Sequence, residues 1–253
     1  MQNQTQPLNQ LKKFSSIGWS LLDVLLPPFC SNCGTFGYEL CAECQKQIEV
    51  INQNNICPIC GGASNKGKTC KTCIETKPHF DQLRAWGVYS GVLREVIQKV
   101  KFNRGIGLVR YLVEPGAYFI NEWGIRIDHI VPVPLTQARH QIRGYNQASL
   151  IAKPISKQLR IPFKPKAISR IKETKSQVGL KRVEREENVL GAFESDLLEN
   201  QNKSVLVIDD ITTTGSTLNE CARALKKSGA KEVYCFAIAK TPFNKNQKEQ
   251  EVI

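Results

Sequence analysis

Apolar residues recur along the chain with the two spacings that strands and helices require. Four consecutive apolar residues, 205–208, predict a strand that is buried on both faces of a parallel sheet. Further strands are predicted at 84–89, 127–133 and 232–239, and helices at 92–102, 107–122, 146–151 and 218–225. Pro115 is expected to bend or split the second of these helices. The alternation predicts an α/β fold, a mostly parallel sheet with helices on both faces.

The ends of the chain have a different pattern from its middle. Residues 9–26 place apolar side chains on one helical face, which predicts an amphipathic helix that packs on the protein, not on a membrane. We divide the chain into a helical segment at 1–28, a cysteine-rich region at 29–75, a linker at 74–82, an α/β domain at 83–242 and a disordered tail at 243–253.

Eight of the ten cysteines form four C-x-x-C pairs in the cysteine-rich region. Two such pairs supply the four thiolates of a tetrahedral zinc site, and sequential pairing gives two sites. The quartets are Cys30, Cys33, Cys41 and Cys44, and then Cys57, Cys60, Cys70 and Cys73. We expect one or two structural Zn²⁺ ions, because four thiolates leave no coordination position open for catalysis. Disulfides or redox motifs are the alternatives: the absence of a secretion signal disfavours disulfides, and four redox motifs in so short a span would be unusual.

The charge of the chain is strongly positive and unevenly distributed. The net charge is +12, and residues 126–188 contain 14 Lys or Arg against 5 Asp or Glu. Such a segment favours a polyanion such as nucleic acid, or a phosphorylated substrate, although a solvated basic surface is the alternative. No apolar run is long enough to span a bilayer and no signal peptide is recognisable, so we predict a cytoplasmic protein.

The segment after the central strand carries the clearest candidate chemistry. Asp209 and Asp210 precede a run of hydroxyl-bearing residues and a glycine, and a helix follows. Free N–H groups at a helix N-terminus bind anions, whereas two carboxylates beside a phosphate require sugar hydroxyls or a divalent metal. A phosphorylated ribose has both features. An ordinary strand-to-helix turn, capped by threonine and serine, is the alternative.

Two further segments are rich in cationic side chains. After the strand at 127–133, a loop brings Arg139 and Arg143, whose guanidinium groups match phosphate oxygens, and Gly144 permits a turn into the next helix. The segment at 168–188 is long and polar. This predicts a lid or, alternatively, an exposed helical turn with mixed charge.

Residues 205–218, VLVIDDITTTGSTL, resemble the phosphoribosyl pyrophosphate (PRPP) signature of type I phosphoribosyltransferases. The motifs P-V-P-L and R-x-x-x-R-G-Y-N-Q, with the cysteine pairs, resemble the ComF family of competence-associated proteins. The resemblance implies a type I phosphoribosyltransferase fold behind an N-terminal double zinc ribbon. It assigns PRPP to Thr212, Thr213, Thr214, Gly215, Ser216 and Thr217, the ribose hydroxyls or catalysis to Asp209 and Asp210, and the pyrophosphate loop to Pro134, Arg139, Arg143 and Gly144.

The resemblance also implies a function. It predicts binding or transfer of a 5-phosphoribosyl group from PRPP with Mg²⁺, linked to DNA uptake in natural competence, with single-stranded DNA and proteins of the competence machinery as possible partners. The alternative is a non-catalytic protein that handles single-stranded DNA and retains the fold and the PRPP site. The residues name neither an acceptor nor a general base.

Overall fold

The computed structural model describes residues 28–102, 105–174 and 182–242. The predicted N-terminal helix at 9–26 and the predicted tail at 243–253 lie outside these residues. The division of the chain into domains stays a prediction.

A four-stranded parallel sheet forms the centre of the α/β part. Its strands are β1 (Gln82–Val88), β2 (His129–Pro132), β5 (Ser204–Thr212) and β6 (Glu232–Lys240), in the spatial order β1-β6-β5-β2. β5 pairs in parallel with both of its neighbours, β6 and β2, for example Val207 with Cys235 and Val131 with Val207. The predicted parallel sheet is confirmed.

Helices cover both faces of this sheet. They are α3 (Gly91–Phe102), α4 (Arg110–Glu122), α6 (Gln147–Leu159) and α9 (Ser216–Lys227). Leu206 and Ile208 of β5 belong to the core formed with α3, α4 and α6, whereas Val205 and Val207 belong to the core formed with α9. Successive side chains of a strand point to opposite faces, so an unbroken apolar run is what a doubly covered strand requires. Cys221 and Cys235 are buried in the second core.

Three details differ from the sequence prediction. Pro115 does not split α4, which follows a 3₁₀ turn at Ile106–Val109 without a break. The loop after β2 contains a short helix, α5 (Gln137–Arg143), which Thr136 caps. The polar segment expected as a lid begins as a strand, β3 (Ile168–Arg170), which pairs antiparallel with β4 (Phe193–Ser195).

Two helices stand near that small sheet. The first, α7 (Arg182–Val189), corresponds to the exposed helical turn that was the alternative prediction, and the second is α8 (Leu197–Asn200). Glu220 of α9 accepts a hydrogen bond from the Gly191 N–H (2.7 Å), which joins the chain after α7 to α9.

The cysteine-rich region packs against the edge of the main sheet. It contains two short helices, α1 (Ala42–Lys46) and α2 (Lys71–Thr76). Its backbone bonds to β1 on the side that faces away from β6: Leu83 N–H donates to Ile59 O (2.7 Å), and Ile51 N–H donates to Trp86 O (2.9 Å). Val50 and Gly87 form an antiparallel bridge. The region therefore covers the edge strand of the sheet.

None of the helices in the residues that the structure describes has the length and apolar content needed to cross a bilayer.

Candidate functional site

The signature segment forms the end of β5, a turn and the start of α9. The apolar run had indicated that the strand ends before Asp209. It extends to Thr212, so Asp209 and Asp210 lie within the strand. The neighbouring β6 explains the difference, because it is equally long and pairs with β5 up to Thr212 and Lys240. The acid pair is thus held by the ladder of the sheet.

The two carboxylates have different surroundings. Asp210 is buried and forms an ion pair with Lys101 of α3, whose Nζ lies 3.0 Å from Asp210 Oδ2. Asp209 is partly buried, and its Oδ1 accepts a hydrogen bond from the Asp210 N–H (2.8 Å). Burial and the charge of Asp210 raise the pKa of Asp209 to about 7, although Lys101 and Arg170 oppose the shift. Near neutral pH, Asp209 therefore exists in both protonation states.

The hydroxyl-bearing turn lies at the N-terminus of α9. Six residues of the turn line one cleft: Thr212, Thr213, Thr214, Gly215, Ser216 and Thr217. Thr214 Oγ1 accepts from the Ser216 N–H (3.3 Å) and lies 2.6 Å from Ser216 Oγ. The positive end of a twelve-residue helix and several hydroxyl donors thus face the same space, which is an arrangement suited to a phosphate.

Gly215 is required by the turn itself. Its φ is +84°, a left-handed conformation that residues with a Cβ rarely adopt. A Cβ at this position would also lie 3.1 Å from Leu83 Cδ2. Replacing Gly215 would therefore disturb the backbone as well as the approach of a ligand, so Ser216→Ala is the cleaner test of the turn.

The predicted pyrophosphate loop contributes to the same cleft. Pro134, Arg139 and Arg143 line the cleft. Arg143 Nη1 donates to Gln147 Oε1 (2.8 Å), and its guanidinium lies over the ring of Phe102. Gly144 is not among the lining residues; with a φ of +76° it ends α5 and lets the chain turn into α6.

Several lining residues were not identified from the sequence. Lys101 comes from the end of α3, Arg170 from β3 and Arg185 from α7. Arg170 lies over Phe193, and burial lowers the pKa of its guanidinium. Arg185 Nε is buried and has no hydrogen-bond partner among the described residues. No periodicity or spacing in the sequence singled out Arg170 or Arg185.

The cleft that these elements enclose has a volume of about 720 Å³. Its charged lining comprises the cations Lys101, Arg139, Arg143, Arg170 and Arg185 and the acids Glu173, Asp209 and Asp210. Five cations thus line the cleft together with the two carboxylates of β5 and Glu173. This distribution suits a ligand that carries several anionic groups around a hydroxyl-bearing centre, and oxygen ligands of this kind also suit Mg²⁺.

The eight clustered cysteines form two separate quartets, with the sequential pairing that the spacing predicted. The thiol sulfurs of Cys30, Cys33, Cys41 and Cys44 lie within 4.8 Å of one another, as do those of Cys57, Cys60, Cys70 and Cys73. The Cys33 and Cys41 sulfurs are 3.6 Å apart, and those of Cys60 and Cys70 are 3.7 Å apart. Tetrahedral zinc with Zn–S bonds of about 2.3 Å requires S–S distances of about 3.8 Å. Both quartets therefore fit zinc.

The backbone around the quartets favours thiolates. The Cys41 N–H points to Cys30 Sγ and the Cys70 N–H to Cys57 Sγ, each at 3.4 Å. The thiols of the second quartet also interact with one another: a hydrogen bond from Cys73 lowers the pKa of the Cys60 thiol to about 5, whereas burial raises the pKa of the Cys70 thiol to about 11. Gly61 follows Cys60 with a φ of +60°, as a tight knuckle requires.

We expect the purified protein to contain about two zinc ions per chain, because both quartets have tetrahedral spacing. Elemental analysis of the reduced protein measures the ratio. Cys57→Ser with Cys60→Ser should lower it to about one zinc, whereas Cys221→Ala, which removes a core thiol outside both quartets, should leave it unchanged. Parent protein without zinc would contradict this assignment.

The second quartet lies close to the signature turn. A cavity of about 320 Å³ separates them, with Cys60, Cys70 and Cys73 on one side and Thr213 to Ser216 on the other. Lys240 at the end of β6 is buried and donates to Cys60 O (3.3 Å). The metal centre and the cleft therefore share supporting elements.

Comparison with known protein families agrees with both parts of the structure. A family model described as a double zinc ribbon domain matches residues 21–74, and a model described as a phosphoribosyl transferase domain matches residues 146–253. The chain thus has a type I phosphoribosyltransferase domain behind a zinc-ribbon-like cysteine cluster.

Curated relatives match about four fifths of this chain. Competence protein F of Haemophilus influenzae is 32% identical over 213 residues, which cover 79% of this chain and 90% of the relative. The DNA utilization protein YhgH of Escherichia coli is 30% identical over 208 residues, with 80% and 90% covered. Competence protein ComFC of Bacillus subtilis is 24% identical over 213 residues, with 80% and 85% covered.

Proposed function

The chain belongs to the Competence protein F family, and we propose that its cleft binds PRPP with Mg²⁺ and transfers the 5-phosphoribosyl group to a nucleophile. The observation that carries the proposal is the convergence on one cleft of an acid pair, a hydroxyl-rich helix N-terminus and a wall of arginines. These three features correspond to the ribose hydroxyls, the 5-phosphate and the pyrophosphate of PRPP.

Each group of side chains has a role in this proposal. Thr213 to Thr217 bind the 5-phosphate, and Asp209 and Asp210 accept hydrogen bonds from the ribose hydroxyls. Arg139 and Arg143 bind the pyrophosphate, and the carboxylates together with PRPP oxygens would hold Mg²⁺, which neutralises part of the charge on the pyrophosphate.

Transfer breaks the bond between ribose C1 and a pyrophosphate oxygen, and the electron pair leaves with pyrophosphate. A new bond forms between C1 and a nitrogen of the acceptor, whose proton passes to solvent. The sugar acquires positive charge on the way, so a protein nucleophile is not required; positioning and the surrounding charges lower the barrier. Lys101 contributes by holding Asp210 in place, at 3.0 Å.

A second candidate function is the handling of single-stranded DNA. Arg139, Arg143 and Arg170 come from the basic segment of the sequence and lie together at the cleft. Guanidinium groups bind phosphates of a nucleic-acid backbone as well as those of PRPP. One relative bears the name DNA utilization protein and two are named competence proteins. A cytoplasmic role in DNA uptake, beside proteins of the competence machinery, is therefore part of the proposal.

Isothermal titration with PRPP and Mg²⁺, with and without a single-stranded oligonucleotide, tests both functions. We expect one PRPP to bind per chain. Ser216→Ala removes one hydroxyl donor to the phosphate and should weaken PRPP binding by roughly 10- to 100-fold, since a hydrogen bond to a charged group contributes about 1.5–3 kcal/mol.

Ser169→Ala is the matched control, because Ser169 is an exposed serine of β3 outside the cleft. It should bind PRPP like the parent. Parent protein that binds the oligonucleotide but not PRPP would favour the second function, and equal PRPP binding by Ser216→Ala and the parent would contradict the phosphate role of the turn.

A further inference from the structure

Two cationic side chains of the α/β part reach into the second cysteine quartet. Arg84 of β1 and Lys240 of β6 both donate to the backbone of the knuckle that joins the first two ligands of this quartet. Arg84 Nη2 donates to Pro58 O (2.9 Å), and Lys240 Nζ donates to Cys60 O (3.3 Å). The carbonyl between them, that of Ile59, bonds to the backbone of β1. Three consecutive carbonyl groups of the knuckle therefore bond to the sheet.

The position of Lys240 is unusual for a lysine. Only 6% of the residue is exposed, and it lines the cavity of about 320 Å³ together with Cys60, Cys70 and Cys73. Lysine is almost never fully buried unless a negative group compensates its charge. The charges of all four thiolates of the second quartet act on Lys240, and those of two of them act on the partly buried Arg84.

Zinc in the second quartet gives these two cations a role. Binding of Zn²⁺ to four cysteines displaces their protons, so the occupied centre carries two net negative charges. Water screens such a charge at a surface, but a partly buried centre needs cations of the protein to compensate it. Arg84 and Lys240 supply two positive charges, which balance the occupied centre.

We propose that Arg84 and Lys240 form the charge-balancing shell of the second zinc centre. They are positioning residues: neither is a zinc ligand, and each acts on the ligands through its charge and through a knuckle carbonyl. The inference rests on zinc occupancy of the second quartet and not on the phosphoribosyl function. Since both side chains belong to the α/β part, the second zinc centre is complete only when the cysteine-rich region is docked on the sheet.

The first quartet provides a reference within the same chain. Its ligand Cys33 is exposed to solvent. Lys99 of α3, which donates to Ser31 O in the first knuckle (2.5 Å), is partly exposed. Water therefore screens part of the charge of this quartet. Replacing Arg84 or Lys240 should leave the zinc of the first quartet unchanged.

Zinc affinity and thiolate reactivity of the full-length, zinc-loaded protein test the proposal. Competition with a chromophoric chelator measures affinity. Mass spectrometry of peptides after treatment with N-ethylmaleimide, which adds to a thiolate sulfur and breaks its bond to zinc, measures the reactivity of each quartet. We expect Lys240→Met and Arg84→Met each to weaken zinc binding by the second quartet by about 10- to 100-fold. Both should also speed alkylation of that quartet alone.

Charge-conserving variants separate electrostatics from packing. Lys240→Arg and Arg84→Lys keep the positive charge and should retain most of the zinc affinity. Lys71→Met is the matched control, because Lys71 lies between Cys70 and Cys73 in the sequence but is exposed, so water screens its charge. It should change neither measurement. Arg84→Met carries the test by itself if the buried Lys240→Met fails to fold.

Three outcomes would overturn the proposal. The first is unchanged zinc affinity and alkylation in the methionine variants. The second is equal weakening by the methionine and the charge-conserving variants, which would give the two side chains a packing role only. The third is parent protein without zinc in the second quartet, which would overturn the metal assignment as well. None of these outcomes bears on PRPP binding, which the titration above tests separately.

Discussion

Replacing Asp209 and Asp210 together by asparagine is expected to lower the affinity for PRPP by about 10²- to 10⁴-fold. Each carboxylate would lose a charge-assisted hydrogen bond to a ribose hydroxyl, which contributes about 1.5–3 kcal/mol, and about 1.4 kcal/mol corresponds to a factor of ten. Because the hydroxyl turn is unchanged, the affinity for inorganic phosphate should fall much less. Isothermal titration with PRPP and with phosphate measures both effects.

The ion pair with Lys101 requires its own control. Asparagine at position 210 leaves the ammonium of Lys101 without its partner, so the double variant should also be measured with Lys101→Met. Asp196→Asn is the matched acid control, because Asp196 lies outside the cleft, caps α8 and can be replaced by asparagine in that role. PRPP affinity within threefold of the parent would show that the acid pair does not bind the sugar.

Asp209→Asn alone is expected to stabilise the folded protein at alkaline pH. The pKa of Asp209 is raised from 3.8 to about 7, so the folded state resists ionisation that the unfolded chain undergoes at much lower pH. The parent therefore loses stability as the pH rises from about 4 to about 7, and the loss stays constant above that range. Each pKa unit corresponds to about 1.36 kcal/mol, so the free energy of unfolding falls by at most about 4 kcal/mol.

Asparagine carries no charge in the folded or the unfolded state, so the stability of the variant does not fall with pH in this way. Its gain in the free energy of unfolding over the parent should be about 1 kcal/mol at pH 4.5 and should reach about 4 kcal/mol at pH 8. Urea unfolding at the two pH values measures the gain. Asp210→Asn should show the opposite result at pH 8, because it breaks the ion pair with Lys101. A gain for Asp209→Asn that does not depend on pH would contradict the assigned pKa.

The parts of the molecule that are local in sequence were predictable. The two quartets follow from cysteine spacing alone, because each C-x-x-C pair places two ligands within one knuckle. The signature turn was also recognisable, since its strand, its hydroxyl run and its helix are consecutive. The end of β5 was misplaced only because pairing with β6 extends a strand through two acids that the hydrophobic pattern excludes.

The parts that depend on tertiary packing were not predictable. Lys101 and Phe102 ended a predicted helix and carried no signal of a site, yet α3 delivers them to Asp210 and Arg143. Arg170 was read as part of a polar segment, but pairing of β3 with β4 fixes it at the cleft. Periodicity and spacing do not show which distant residues meet, so a cleft lined by seven separate helices and strands is visible only in the folded chain.

The backbone hydrogen bonds between the cysteine-rich region and β1 have a consequence for aggregation when the metal is lost. An uncovered edge strand would offer its N–H and C=O groups to other chains, and here Ile51 and Ile59 occupy those groups. Since Ile59 lies between two ligands of the second quartet, the free energy of zinc binding there also contributes to keeping the sheet edge closed. Removal of the metal would thus expose an unpaired edge strand that can pair with other chains. In zinc-depleted protein, aggregation would therefore be detected before a loss of ligand binding.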